Sequence, residues 1–380
     1  MIEAAISQEE AEVLRYVKEF AQKEVKPLAR EIDIKKEVPQ KLIQRMKELG
    51  LFASYIPKEY GGAGLSFSFL VRVIEELSRA CPSTALVLDG ALTLFADPLI
   101  MFGSEELKRR YLTKVAEGAV GGLALTEPNA GSDAAAITTS AVRKGNGFVL
   151  NGNKIFISNG RIAKFFVVDA VTDPSKGHRG ISTFVVDADT PGFRISRDIQ
   201  KLGIRGSSTV ELEFHDVFVP EENIVGEINK GFKVVMDTLD SGRIGIAAQA
   251  LGIAQGALEE AVDYVKQRKQ FGQRIADFQG IQFMLADMST KLEAARILTY
   301  KAAEIWDKHE DAVRISSQAK LFASDVAMQI TTDCLQLFGG YGYTTDLDAE
   351  RHMRDAKITQ IYEGTNQIQR VIIARDLLKQ

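Results

Sequence analysis

Three short runs in this 380-residue chain hold residue types that could do chemistry. The run Leu125-Thr126-Glu127-Pro128-Asn129-Ala130-Gly131-Ser132-Asp133 offers hydroxyls, backbone amides and a turn-making Pro and Gly. Such a loop can ring a polar heterocycle or a phosphate with N–H donors. The same composition also suits an ordinary inter-domain loop. The run Arg268-Lys269-Gln270-Phe271-Gly272 sets a positive fork beside an aromatic and a glycine. That pairing suits a phosphate with a flat group nearby. It equally suits a charged helix end with a glycine cap. In Tyr362-Glu363-Gly364-Thr365 a carboxylate stands next to a glycine, which lets a ligand approach the backbone closely. Alternatively, Thr365 or Asn366 simply caps a last helix.

Other chemistries find little support. No GxGxxG follows a strand, and no GxxxxGK[ST] occurs. The histidines His178, His215, His309 and His352 form no HExxH-like pair, so no metal site is expected. Cys81 and Cys334 lie far apart without a CxxC partner, which suits a reducing compartment. Formal net charge is -4 with both signs interspersed, and no basic run marks a nucleic-acid partner. The N-terminus turns polar at once, unlike a signal peptide. No apolar stretch is expected to span a bilayer. A soluble, cytoplasmic protein without a membrane partner is expected.

The elements that must position these runs show a change of period along the chain. In residues 1–120, Leu14, Val17, Ala21, Val25 and Leu28 recur at helical spacing, as do Phe67, Leu70, Ile74 and Leu77. In residues 121–225 the runs shorten. Phe165 to Val168 and Thr183 to Val186 read as strands, and Val210, Leu212 and Phe214 alternate with Glu211, Glu213 and His215. Asn151-Gly152-Asn153, between Phe148-Val149-Leu150 and Ile155-Phe156-Ile157, predicts a hairpin turn. An antiparallel β domain is expected, as a sandwich or a barrel. In residues 226–380 helical stripes return: Leu251 to Val265, Ile281 to Ala295, Ala319 to Leu337, and a short last helix from Ile368 to Leu378. Gly339-Gly340 stops the third of these. The expected class is α+β and multidomain: an N-terminal all-α domain, a central antiparallel β domain and a C-terminal four-helix bundle.

Taken in order, the motifs resemble the acyl-CoA dehydrogenase family over essentially the whole chain. They are Glu59-Tyr60-Gly61-Gly62, Leu125 to Asp133, Asn153 to Asn159, Gly203-Ile204-Arg205-Gly206-Ser207, Arg268 to Gly272, Leu337 to Gly342 and Ile361 to Gln369. Each alone is weak to moderate; seven in the right order are strong. The resemblance implies non-covalent FAD. It puts Leu123, Leu125, Thr126, Gly131 and Ser132 along the flavin, and Phe156, Ile157 and Ser158 on its ring face. Thr365 and Gln367 would meet the adenosine diphosphate portion. Arg268, Phe271, Phe278, Gln279, Gln336, Leu337, Gly339 and Gly340 would reach the FAD of a neighbouring subunit. A homo-oligomer is thereby implied, as a tetramer built from two dimers. Ser132, Asp240, Arg243, Tyr362 and Gly364 would contact the acyl-CoA. An electron-transferring flavoprotein would accept the electrons.

Two positions depart from the family pattern. Many members have Trp at Phe156 and Gly at Asn129. Phe can still stack, and Asn tolerates a left-handed backbone. The resemblance also implies the catalytic base. Most members carry it in the Tyr-Glu-Gly-Thr turn, and some branches carry it one residue before the arginine of a DxxR motif. That second position is Gly242 here, which leaves Glu363. The implied reaction is α,β-dehydrogenation of an acyl-CoA thioester, with short straight-chain and branched acyl groups as leading substrates.

Overall fold

The computed structural model describes residues 6–379. Helices run to Ala116, strands from Gly121 to Val225, and helices again from Gly231. The first helix, Gln8–Phe20, begins with a reciprocal cap. Ser7 Oγ accepts the Glu10 N–H at 3.2 Å, and the Glu10 carboxylate accepts the Ser7 N–H at 2.7 Å. Glu10 also accepts the Ser66 N–H at 2.8 Å, which ties this start to that of helix Phe67–Ala80.

Pro82 then opens a helix that continues to Phe102, with Gly90–Ala96 wound as π-helix. It is 21 residues long and its most apolar 18-residue window has a mean hydropathy of 1.7, so by length and composition it could cross a bilayer. This corrects the sequence expectation that no apolar stretch reaches such a length. Its most apolar window is 83% buried inside the fold, as a core helix requires.

The strands are β1 (Gly121–Ala124), β2 (Ser140–Lys144), β3 (Gly147–Ser158), β4 (Phe165–Val171), β5 (Ile181–Asp187), β6 (Phe193–Asp198), β7 (Thr209–Pro220) and β8 (Ile224–Val225). They form one sheet along an open path β6-β7-β3-β2-β4-β5-β8, with β1 beside β4. Pairing is antiparallel except that β1 runs parallel to β4, and β2 meets β4 in parallel at Ser140 and Val171. The hairpin expected at Asn151-Gly152-Asn153 is absent. These residues lie inside β3, where the register against β7 shifts between Leu150 and Gly152. Gly152 has φ 152°, and a Cβ there would lie 2.5 Å from Thr139 Oγ1, so its glycine serves close packing rather than a turn. The turn instead falls at Gly145, φ 60°, between β2 and β3.

β4 shows why the centre of the sheet reads as a continuous apolar run. Phe165 and Val167 join the helical core, whereas Phe166 and Val168 face the sheet's own core. Both faces are covered.

The C-terminal helices are Gly231–Gln267, Gln279–Asp307, Val313–Phe338, Ala349–Thr359 and Asn366–Leu378. Helix 349–359 lies outside the four stripes read from sequence. Most of what it buries is polar: Arg351, His352, Asp355 and Thr359 beside Ala349 and Ala356. Arg351 bonds Asp355 at 3.2 Å, and His352 Nε2 lies 3.2 Å from the Glu260 carboxylate.

Candidate active site

Glu363 sits in a turn between the last two helices, with Glu363 at φ 54° and Gly364 at φ 84°. Two successive left-handed residues cost energy unless their surroundings fix them. Buried amide and ammonium groups do so here. Gln369 Nε2 donates to the Glu363 and Gly364 carbonyls at 3.0 Å each. Lys320 Nζ donates to the Gly364 carbonyl at 2.8 Å and to Asn366 Oδ1 at 2.9 Å. The Tyr362 hydroxyl donates to Gln249 Oε1, and Thr365 Oγ1 caps the last helix by accepting the Ile368 N–H.

The N–H and the carboxylate of Glu363 are left unused. Among the described residues none accepts its N–H, and its Oε2, shut off from solvent, receives no hydrogen bond. Burial pushes the carboxyl up to about 7, opposed by the charges of Arg243 and Lys320. Burial likewise pushes the Lys320 ammonium down to about 7. Helix 231–267 makes room for the carboxylate at Gly242, where a Cβ would lie 2.8 Å from Glu363 Oε2. Thus the two base positions of the family pattern converge on one place. Asp240 and Arg243 flank Gly242, both buried and paired to each other. Ser316 Oγ also donates to Asp240 at 3.1 Å.

The run from Leu125 to Asp133 is pinned at its base and open at its tip. Glu127 accepts the Thr138 N–H at 2.7 Å, the Thr139 N–H at 2.9 Å and Lys154 Nζ at 2.9 Å. Lys154 is fully buried and also donates to the Leu125 carbonyl at 2.9 Å. Burial alone would raise the Glu127 carboxyl, but the Lys154 charge and these hydrogen bonds outweigh it and hold it at about 2. With the base fixed, Pro128, Asn129, Gly131, Ser132 and Asp133 are exposed. Asn129 is not among the left-handed residues, so the tolerance expected of it is not used.

Phe156 stands beside this loop. The Ile155 N–H donates to the Thr126 carbonyl at 2.8 Å, and β3 shifts register between Lys154 and Ile157. The shift turns Phe156 outward at φ 62° and 60% exposure, between the buried Ile155 and Ile157. A Cβ on Gly122 would lie 3.3 Å from the Ser158 carbonyl, so β1, with Leu123, runs against the same strand end. The structure thus brings Leu123 to Ser132 together with Phe156 to Ser158. An exposed aromatic beside a rigid, amide-rich loop fits a flat heterocycle. Asn159 joins this platform to helix 82–102: its Nδ2 donates to the Leu86 carbonyl at 3.1 Å.

The run from Arg268 to Gly272 opens a hairpin, Lys269–Gln270 against Gln273–Arg274. Its tip residue Phe271 is 94% exposed and meets Phe278 edge-on at 6.2 Å. The Arg268 guanidinium lies 5.7 Å over the Tyr341 ring, in the turn that carries Gly339 and Gly340. Gln279, Gln336, Gly339 and Gly340 are exposed, whereas Leu337 is buried. Among the described residues this cluster shares no hydrogen bond or ring contact with the Glu363 turn. It faces outward, as a surface offered to another chain would.

Sequence reasoning passed over Lys320, Gln369, Lys154 and Asp89. A lysine within the apolar stripe of helix 313–338 is the one local signal that could have exposed Lys320.

Three family descriptions match in order: "Acyl-CoA dehydrogenase, N-terminal domain" over residues 7–119, "middle domain" over 122–217 and "C-terminal domain" over 229–378. The chain belongs to the acyl-CoA dehydrogenase family. It is an oxidoreductase, and members of this family are FAD flavoproteins. It is 48% identical to the short-chain-specific acyl-CoA dehydrogenase of Clostridium acetobutylicum over 375 residues, 98% of this chain and 99% of that one. Butyryl-CoA dehydrogenase from Megasphaera elsdenii superposes with a TM-score of 0.97 at 44% identity, covering 99% of this chain and 100% of that one. A chain from a structure described as the electron transferring flavoprotein of Acidaminococcus fermentans gives 0.97 at 49% identity and full coverage of both.

Proposed function

We propose that this chain oxidises an acyl-CoA thioester to the trans-2-enoyl-CoA, with FAD as its cofactor and Glu363 as the base. The observation that carries this reading is the unpartnered Glu363 carboxylate beside an unspent N–H of the same residue. A pKa near 7 suits a group that must take a proton at neutral pH. The N–H can donate to the thioester carbonyl, where charge builds as the α-proton leaves. Gln369 and Lys320 hold both groups in place, so little reorganisation is needed during reaction.

The loop tip at Thr126 to Ser132, the ring of Phe156 and Ser158 would hold the flavin. When bound, FAD supplies the acceptor for the β-hydride. Thr365 and Gln367 would meet the adenosine diphosphate portion. Arg268 and Phe271 would reach the cofactor of a second subunit, and Asp240, Arg243 and Ser132 would serve the acyl-CoA.

The names of the similar proteins favour a short acyl group and an electron-transferring flavoprotein as acceptor. Helix 279–307 leaves Phe283 60% and Ile297 43% exposed, apolar surface that a second subunit could cover in a homo-oligomer; the tetramer itself is carried by the family resemblance. A monomer in light scattering would overturn that assembly. Buried, unpaired Cys81 and Cys334 fit the cytoplasm.

The test is Glu363→Gln. The variant should keep its FAD and still bind acyl-CoA, but lose flavin bleaching by at least ~100-fold. Rapid bleaching would sink the assignment.

A further inference from the structure

Helix 82–102, largely apolar, buries two carboxyl groups. Asp89 and Asp97 are each 1% exposed, and Thr93 lies midway between them. The spacing puts all three on one face. Among the described residues neither acid has a lysine or arginine partner. Asp97 Oδ1 accepts the Tyr55 hydroxyl at 2.9 Å, while its buried Oδ2 receives nothing. Asp89 has only the Thr93 hydroxyl, at 3.0 Å, and that single proton is shared with Asp89's own carbonyl at 2.8 Å. A buried acid with half a hydrogen bond and no cation is costly, and packing alone does not explain it.

Its position does. Helix 231–267 presents two glycines one turn apart. A Cβ on Gly242 would lie 2.8 Å from Glu363 Oε2, and one on Gly245 would lie 2.4 Å from Asp89 Oδ1. The two carboxylates therefore rest against adjacent turns of one helix face, at contact points about 5–6 Å apart. Leu94, half-buried, packs beside Glu363 at the same place, 3.0 Å from a Cβ on Gly242. An acyl chain whose Cα faces Glu363 and which continues along this helix face would meet Asp89. The span is roughly four carbon–carbon bonds.

We infer that Asp89 is a specificity determinant that accepts a hydrogen bond from the acyl chain, so that the substrate carries a donor near its fifth carbon. A hydroxyl or an ammonium would serve. This inference rests on the reading of Glu363 as the base. Burial raises the Asp89 carboxyl to about 7; the Thr93 hydrogen bond opposes this, and the Glu363 charge reinforces it. The group is therefore part-ionised at neutral pH and able to accept from either donor.

The test compares holoenzyme kcat/KM for 5-hydroxypentanoyl-CoA and 5-aminopentanoyl-CoA with that for their methyl-ended isostere, hexanoyl-CoA. At least one donor substrate should exceed hexanoyl-CoA by roughly 10-fold or more. Asp89→Leu should reverse the order and raise the hexanoyl-CoA value. Asp89→Asn, which keeps the shape and loses the charge, should spare the hydroxyl substrate and depress the ammonium one; this separates the two donors. Bleaching by hexanoyl-CoA with no gain from either donor overturns the role of Asp89 and leaves the dehydrogenase reading intact. No bleaching by any acyl-CoA overturns that reading, and this inference with it.

Discussion

Glu127 and Glu363 are both enclosed acids, yet the protein treats them in opposite ways. Glu127 is surrounded by donors, with Lys154 at 2.9 Å and two backbone amides at 2.7 and 2.9 Å. Its carboxyl is held at about 2. Glu363 keeps Oε2 without a donor, and its carboxyl is pushed up to about 7. A satisfied buried charge fixes a loop; an unsatisfied one is available for chemistry. Residue type does not distinguish them. The neighbours do.

The largest effect should come from breaking the satisfied pair. Lys154→Met leaves Glu127 enclosed without its cation, and unfolding free energy should fall by about 3–5 kcal/mol. Urea denaturation measures it; a loss under ~1 kcal/mol, the scale of an exposed pair, would erase the contrast.

Gly242→Ala acts on the unsatisfied acid. The new methyl would press on a carboxylate 2.8 Å away and push it off line. Activity should fall by about 10- to 100-fold with little change in melting temperature. Wild-type kcat/KM would show that the carboxylate needs no such room.

The smallest effects are in pH. Glu127 is depressed in the folded state, so its stability contribution is complete above its ordinary value of 4.5 and is lost as pH falls toward 2. Glu363 is raised, so its burial begins to cost stability as pH climbs past 4.5, fully so above about 7. Glu363→Gln should therefore be more stable than wild type at pH 8, with the advantage gone at pH 4. Thermal denaturation at both values reads it, and an advantage independent of pH would contradict the contrast.

How much of this was legible in the sequence follows from what each residue packs against. The apolar stripes and the alternation in β7 gave the helix, sheet, helix order, because those patterns are set by one buried face each. Helix 349–359 was not legible, since its buried face is made of Arg351, His352 and Asp355 rather than apolar side chains. Asn151-Gly152-Asn153 misled, because glycine serves close packing against Thr139 as readily as it serves a turn. The three chemical runs were visible as motifs. The residues that hold them, Lys154, Lys320 and Gln369, act across 27 to 44 positions of sequence or from within a helix; only Lys320, a lysine in an apolar stripe, leaves a local mark.

The central claim is that Glu363 removes the α-proton. Solvent deuterium exchange at the α-carbon of bound acyl-CoA measures that step apart from the redox one. Wild type should exchange. Glu363→Gln, with FAD and acyl-CoA bound, should lose exchange by at least ~100-fold. Exchange at the wild-type rate in that variant would place the base elsewhere.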